Sequence, residues 1–104
     1  MIELNENNFS KELENRKIVL VDFYARWCGP CGMQAQVLDK IKKSRSLDFD
    51  IAKVDVDKAP KLAMEYSVDA IPTLLLFKDN KLVKKIVGYT EEDEILKMIE
   101  QFQD

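Results

Sequence analysis

The sequence predicts an α/β protein in which a mixed β-sheet is flanked by helices on both faces, and three observations lead to this prediction. Residues 18–24 read Ile-Val-Leu-Val-Asp-Phe-Tyr, a β-branched and aromatic run that is apolar on both faces, as in a buried central strand. A helical pattern from Pro30 is followed by strand alternation over residues 49–56, which together make a parallel βαβ unit. The pair Asp79-Asn80 lies between two strand-like runs and predicts a tight antiparallel hairpin, since both residues tolerate positive φ.

The elements follow one another along the chain without a linker or an internal repeat. Asn7 or Asn8 is expected to cap the first helix, because asparagine side chains can accept hydrogen bonds from free helical amides. In order, we predict a strand at residues 2–4, a helix to about residue 15, a strand at 17–24, a helix from residue 30, a strand at 49–56, a helix at about 59–66, strands at 73–77 and 81–87, and a last helix after residue 90.

Apolar residues at helical spacing predict which face of two helices is buried. In the helix that begins near Pro30 these residues are Met33, Val37, Leu38 and Ile41, and the polar positions between them are Gln34, Asp39, Lys40 and Lys43. In the last helix the apolar stripe is formed by Ile95, Leu96, Ile99 and Phe102. Thr90 followed by Asp93 resembles a capping box and predicts that this helix starts at Thr90.

Length, charge and the absence of histidine exclude several classes of function. The 104 residues have room for one domain, over residues 1–104, and 16 basic against 19 acidic residues give a net charge of -3. A nucleic acid or an anionic membrane is therefore not expected as a partner. Without histidine, the chain cannot form a Ser-His-Asp or Cys-His nucleophile or a His-ligated zinc site, so its chemistry must use cysteine, carboxylate or lysine.

The location of the protein is predicted from its apolar segments. No apolar run approaches the roughly 20 residues that cross a bilayer. The first residues, Met-Ile-Glu-Leu-Asn-Glu, have neither the cationic start nor the apolar stretch of a signal peptide. We therefore expect a cytoplasmic protein.

The two cysteines of the chain form one C-x-x-C motif, Cys28-Gly29-Pro30-Cys31, between the central strand and the following helix. Proline is favoured at the first helical position, so Cys28 is expected just before the helix and Cys31 on its first turn, within disulfide reach. The helix N-terminus stabilises a thiolate on Cys28, which would attack a disulfide, and Cys31 would resolve the product. A structural disulfide, a zinc or cluster site shared between two chains, and a pair of ordinary core cysteines are less favoured alternatives.

These residues resemble the thioredoxin family. The similarity rests on residues 21–31, Val-Asp-Phe-Tyr-Ala-Arg-Trp-Cys-Gly-Pro-Cys, and on Ile71-Pro72-Thr73 some forty residues later. It extends over the whole chain, to Ala52-Lys53-Val54-Asp55, Pro60, Tyr66, residues 73–77 and Val87-Gly88. The resemblance implies a five-stranded mixed sheet with four helices, and a general dithiol–disulfide oxidoreductase that contributes to electron transport and cell redox homeostasis.

The resemblance also implies roles for three residues near the cysteines. Asp22, in the apolar strand, matches the buried acid that accepts the Cys31 proton, and Lys53 matches the lysine that approaches this acid. Pro72 matches a proline that follows a cis peptide bond beside the cysteines. Without the family, Asp22 would be interpreted as a turn or capping residue, and Lys53 as a lysine on a solvent-facing strand position.

Partners follow from the same resemblance. The family's flat apolar patch around the attacking sulfur is matched by Trp27, Gly29, Pro30, Ile71, Val87 and Gly88. We expect no bound cofactor and no metal, and electrons from a separate thioredoxin reductase that is either a flavoprotein using NADPH or ferredoxin-linked. The expected substrates are disulfide-containing proteins of the ribonucleotide reductase, peroxiredoxin and methionine sulfoxide reductase types, and the protein is expected to be a monomer.

Four positions depart from the family pattern. Gly32 replaces a common lysine or arginine, Gln36 replaces a helix-kinking proline, Tyr24 replaces a common tryptophan, and Asn80 replaces a hairpin glycine. We expect a straighter active-site helix and a different reduction potential or partner set, with Arg26 supplying part of the charge lost at Gly32.

Two other functions compete with a disulfide reductant. Gly-Pro between the cysteines places no imidazolium beside the thiolate, which favours donating electrons. A redox-silent interaction module on the same fold would instead tolerate loss of Cys28. An oxidase or isomerase of an oxidising compartment is disfavoured by the missing signal peptide.

Overall fold

Five strands form one mixed sheet in the computed structural model, which describes residues 1–44 and 48–104. The strands are β1 (Ile2–Leu4), β2 (Ile18–Tyr24), β3 (Asp50–Asp55), β4 (Thr73–Lys78) and β5 (Lys81–Val87), in the spatial order β1-β3-β2-β4-β5. The β3 strand pairs in parallel with β1 and β2, while β4 pairs antiparallel with β2 and β5. The predicted mixed sheet is confirmed, with its parallel crossover pair first and its antiparallel hairpin last.

Four helices cover the two faces of this sheet within the described residues: α1 (Phe9–Glu14), α2 (Gly29–Ser44), α3 (Pro60–Glu65) and α4 (Glu92–Gln101). On one face, residues of α1 and α3 pack with Val19, Val21 and Phe23 of β2. On the other face, residues of α2 and α4 pack with Ile18 and Leu20. The β2 strand is therefore buried on both sides, as its apolar run predicted, and none of the described helices is long and apolar enough to cross a membrane.

The hairpin between β4 and β5 has the predicted turn. Asp79 and Asn80 have φ values of 50° and 65°, so both adopt the left-handed conformation that a two-residue turn requires. Asparagine and aspartate tolerate this conformation better than other residues with a Cβ, which explains how the turn forms without glycine.

Two predicted helix caps are wrong in their hydrogen bonds. Asn8 does precede α1, but its side-chain oxygen accepts the backbone N–H of Asn5 (2.7 Å) instead of a helical amide. Thr90 does not start α4, which begins at Glu92 with Glu91 in the capping position. The Thr90 hydroxyl donates to the Gly88 carbonyl oxygen (3.2 Å), so it is engaged by the preceding loop.

The buried face of α2 also differs from the prediction at its first turns. Met33, expected in the core, is 56% exposed, while Gln34, expected on the polar face, is fully buried. The reason is that Cys31 points inward at the start of the helix, so residue 34, three positions later, follows it into the core. Farther along, Leu38 and Ile41 are buried as predicted.

Candidate functional site

The predicted C-x-x-C motif lies where β2 gives way to α2. β2 ends at Tyr24 and α2 begins at Gly29, so Cys28 directly precedes the helix and Cys31 is on its first turn. The two cysteines are joined as a disulfide, with 5.3 Å between their Cα atoms. Cys31 is 3% exposed, whereas Cys28 is only partly buried. An incoming disulfide can therefore reach Cys28 more easily than Cys31.

The start of α2 stabilises negative charge on Cys28. The backbone N–H of Cys31 donates a hydrogen bond to Cys28 Sγ (3.3 Å). The first turn of α2 carries no acidic side chain, so the positive end of the helix dipole faces the sulfur without opposition from its own helix. Such an environment favours the thiolate, which is the nucleophile in thiol–disulfide exchange.

The Ile71–Pro72 segment lies beside Cys28, and Gly88 is hydrogen-bonded to that segment. The Ile71–Pro72 peptide bond is cis, and the Ile71 carbonyl oxygen lies 3.9 Å from Cys28 Sγ. The backbone N–H of Gly88 donates to the Pro72 carbonyl oxygen (2.7 Å). Gly88 has a φ of 93°, which side chains with a Cβ rarely adopt, so glycine is required at this position.

Asp22 is buried in β2, on the same side of the strand as Leu20 and therefore on the α2 side of the sheet. Burial raises the pKa of Asp22 from 3.8 to about 7, and the positive charge of Lys53 opposes part of this increase. Among the described residues, none forms a hydrogen bond with Asp22 Oδ1. A carboxyl group with this pKa can both accept and release a proton near neutral pH.

Lys53 belongs to a row of charged residues that crosses three strands. In the sheet register Glu3 is paired with Lys53, and Lys53 is paired with Asp22. Lys53 Nζ lies 3.6 Å from Glu3 Oε1 and 5.6 Å from the centre of the Tyr24 ring, and the Tyr24 hydroxyl donates to Glu3 Oε2 (3.3 Å). The Lys53 ammonium group therefore lies close to the exposed Glu3 carboxylate and also lowers the pKa of the buried Asp22 carboxyl by its charge. Sequence reasoning missed Glu3, since the strand order that places it there is a long-range property.

Lys53→Gln should raise the pKa of Asp22 above about 7, because the cation that favours the ionised carboxylate is removed. We expect the titration midpoint of Asp22 to rise by about half a pH unit, because Lys53 is partly exposed and solvent screens its charge. NMR titration of the Asp22 carboxyl carbon would measure it, with Lys84→Gln on β5 as the control. An unchanged or lower midpoint in Lys53→Gln would show that Lys53 does not act on Asp22.

Trp27 is held at the surface by a carboxylate that sequence reasoning also missed. Its side chain is 72% exposed, and its indole Nε1–H donates to Asp57 Oδ2 (2.8 Å). The backbone N–H of Asp57 in turn donates to Asp55 Oδ1 (3.0 Å), while Arg26 Nε lies 3.9 Å from Asp55 Oδ2. The signal for Asp57 was its place just after β3, because the carboxyl ends of the parallel strands β2 and β3 meet at one edge of the sheet.

An apolar surface surrounds the cysteines. Trp27 and Ile71 line a shallow cavity of about 200 Å³ together with Val56, Val68, Asp69 and Ala70. At the end of β5, Val87 and Tyr89 are 57% and 40% exposed on either side of Gly88. Gly29 and Pro30 are exposed at the start of α2. The predicted patch residues are therefore all at least partly exposed, and the structure adds Val56, Val68, Ala70 and Tyr89.

Within residues 1–44 and 48–104, no group of three or more potential ligands is placed to hold a metal ion. The two cysteine sulfurs are bonded to each other. A bonded pair of sulfurs is the form that can exchange with an external thiol pair.

Comparison with known proteins gives a consistent result over most of the chain. A family model described as thioredoxin matches residues 1–101. A thioredoxin of Mycobacterium bovis is 49% identical over 84% of this chain and 76% of its own, and a thioredoxin of Chlamydia trachomatis is 41% identical over 96% of each chain. The solved structure of a mutant thioredoxin from Halobacterium salinarum superposes with a TM-score of 0.91 at 35% identity, covering 99% of this chain and 90% of that one.

Proposed function

The chain belongs to the thioredoxin family and is a protein disulfide oxidoreductase, and from that premise we propose that it acts as a general reductant of protein disulfides. The observation that carries the proposal is the position of Cys28, which is partly exposed before the first turn of α2 with the Cys31 amide directed at its sulfur. Gly29 and Pro30 separate the two cysteines, so no imidazolium over-stabilises the reduced form. The reduced pair therefore gives up its electrons readily.

The reaction begins with attack by the Cys28 thiolate. It bonds to one sulfur of the substrate disulfide, and the other substrate sulfur leaves as a thiolate that takes up a proton. The Cys31 thiol then loses its proton to the Asp22 carboxylate, whose pKa of about 7 suits it to this role. The Cys31 thiolate bonds to Cys28 Sγ, and the second substrate sulfur is released. Two electrons have passed to the substrate, and the Cys28–Cys31 disulfide seen in the structure is the product.

Substrate proteins dock on the apolar surface around Cys28. An extended segment carrying the target disulfide would lie between Trp27 and Gly88, with its backbone along Ile71. The shallow cavity beside Trp27 would receive one apolar side chain of that segment. Such a surface selects by accessibility of the disulfide more than by sequence, in keeping with a general reductant.

Electrons must be resupplied after each turnover. We infer a separate thioredoxin reductase, fed by NADPH through a flavin or by ferredoxin, and no cofactor bound to this chain. Ribonucleotide reductases, peroxiredoxins and methionine sulfoxide reductases are the substrate types, and the reducing cytoplasm is the compartment in which the dithiol form persists. The protein would act as a monomer, because the docking surface must remain free for its partners.

The test is the rate of insulin disulfide reduction with dithiothreitol as the electron donor. We expect this chain to accelerate the reaction at least tenfold over dithiothreitol alone. We also expect it to reduce insulin when dithiothreitol is replaced by NADPH and a flavoprotein thioredoxin reductase. The matched control is the same chain reduced and then alkylated on its cysteines. If the unmodified chain is no faster than the alkylated one, the reductant proposal fails and a redox-silent interaction module becomes the better interpretation.

A further inference from the structure

Gln34 makes a buried polar contact that the thiol chemistry does not use. It lies on α2, three residues after Cys31 and on the same inward face, and is fully buried. Its Nε2 donates to the Thr90 carbonyl oxygen (3.0 Å), and its Oε1 accepts the Thr90 backbone N–H (2.8 Å). Both ends of the side-chain amide are thus bonded to a single residue, which is itself 2% exposed.

Thr90 belongs to the connection between β5 and α4, residues 88–91, which we call the Gly88 loop. The Thr90 hydroxyl donates to the Gly88 carbonyl oxygen (3.2 Å), and the Gly88 N–H donates to the Pro72 carbonyl oxygen (2.7 Å). A continuous set of hydrogen bonds therefore runs from Gln34, one turn beyond Cys31, through this loop to the peptide segment beside Cys28.

A leucine would fill a similar volume in the core without these bonds. It would leave the N–H and the carbonyl oxygen of Thr90 buried and unpaired, and the loop would have to move to hydrate them. The exposed side chains on either side of Gly88 are Val87 and Tyr89, so such a movement would displace part of the apolar surface. Because the amide binds Thr90 at two points, it sets the orientation of the loop as well as its distance from α2.

We propose that Gln34 is a positioning residue. Its amide binds Thr90 at two points and holds the Gly88 loop against α2, so that the loop is preformed as one side of the docking surface for protein substrates. This inference rests on the proposed function, since it concerns the docking surface of the same site. Gln34 does not touch the sulfurs, so it acts on the binding of protein disulfides and leaves the intrinsic reactivity of Cys28 unchanged.

The test compares a protein disulfide with a small one in the Gln34→Leu variant. For insulin we expect KM to rise about fivefold while kcat stays within twofold of its value in the unmodified chain. The rate constant with hydroxyethyl disulfide should also stay within twofold, because this small substrate does not need the docking surface. Gln36→Leu is the matched control, because Gln36 is exposed on the same helix two residues later. Hydrogen exchange at the Thr90 amide, which donates to Gln34 Oε1, should become at least tenfold faster in Gln34→Leu only.

A second variant, Gln34→Glu, tests the same proposal if Gln34→Leu folds poorly. In Gln34→Glu a protonated carboxyl can make both bonds to Thr90, whereas the ionised form cannot donate to its carbonyl oxygen. The insulin KM of Gln34→Glu relative to the natural chain should therefore rise with pH. The inference is overturned if Thr90 exchange and insulin KM stay within twofold in both variants, or if hydroxyethyl disulfide is affected as much as insulin. Failure of the natural chain on insulin would instead reject the proposed function.

Discussion

Cys28→Ser should reduce insulin no faster than dithiothreitol alone, whereas Cys31→Ser should be caught as a mixed disulfide with its substrate. The difference follows from the positions of the two sulfurs. Cys28 is partly exposed and receives the amide of Cys31, so a hydroxyl there removes the attacking thiolate. Cys31 is buried, and its loss leaves the first step intact but removes the thiol that releases the substrate.

The measurement is insulin turnover for both variants, with electrophoresis under non-reducing conditions to detect the covalent complex. We expect each variant to lose at least a hundredfold in turnover, and only Cys31→Ser to form a complex that dithiothreitol dissolves. The double variant, Cys28→Ser with Cys31→Ser, serves as the control and should form none. A complex in Cys28→Ser would assign the attacking role to Cys31 and refute the mechanism.

Asp22→Asn should make the protein more stable and less active at the same time. The native pKa of Asp22, about 7, is higher than its ordinary value of 3.8, so the folded protein holds this proton more tightly than the unfolded chain does. The contribution of Asp22 to stability is therefore fully present below about pH 4 and is lost as pH rises through about 7. Asparagine does not titrate, so the variant should gain up to about 4 kcal/mol at pH 8 and little at pH 4.

Denaturant unfolding of both chains at these two pH values would measure the gain. Asp39→Asn, an exposed position on α2, is the control and should change stability by less than about 0.5 kcal/mol at either pH. Equal gains for Asp22→Asn at both pH values would mean that burial of the charged form is not the cause.

The activity of Asp22→Asn should fall, because this variant lacks the carboxylate that we propose as the acceptor of the Cys31 proton. We expect insulin turnover at neutral pH to be about ten- to a hundredfold slower, with the mixed disulfide accumulating transiently. The deficit should shrink as pH rises and solvent removes the proton instead. If Asp22→Asn reduces insulin as fast as the unmodified chain does, Asp22 is not needed as the acceptor of the Cys31 proton.

Several features of this protein were determined by the sequence alone. The two-sided apolar run of β2, the helical pattern after Pro30 and the Asp79-Asn80 turn depend on residues close together in the chain, and all three elements formed where predicted. The C-x-x-C motif likewise carries its own geometry, because the residues that start the helix lie within the motif itself. These interactions are local, so periodicity and turn chemistry suffice to predict them.

The tertiary structure decided what depends on distant partners. Glu3 meets Lys53, the Trp27 indole meets Asp57, and Gln34 meets Thr90 because the strand order and helix packing bring these residues together. A buried glutamine is tolerated only where a backbone segment satisfies its amide, and that segment lies 56 residues away. Helical spacing could place Met33 or Gln34 inward with equal ease. Gln34 faces the core because Cys31 points inward one turn earlier and Thr90 forms hydrogen bonds with both ends of the Gln34 amide.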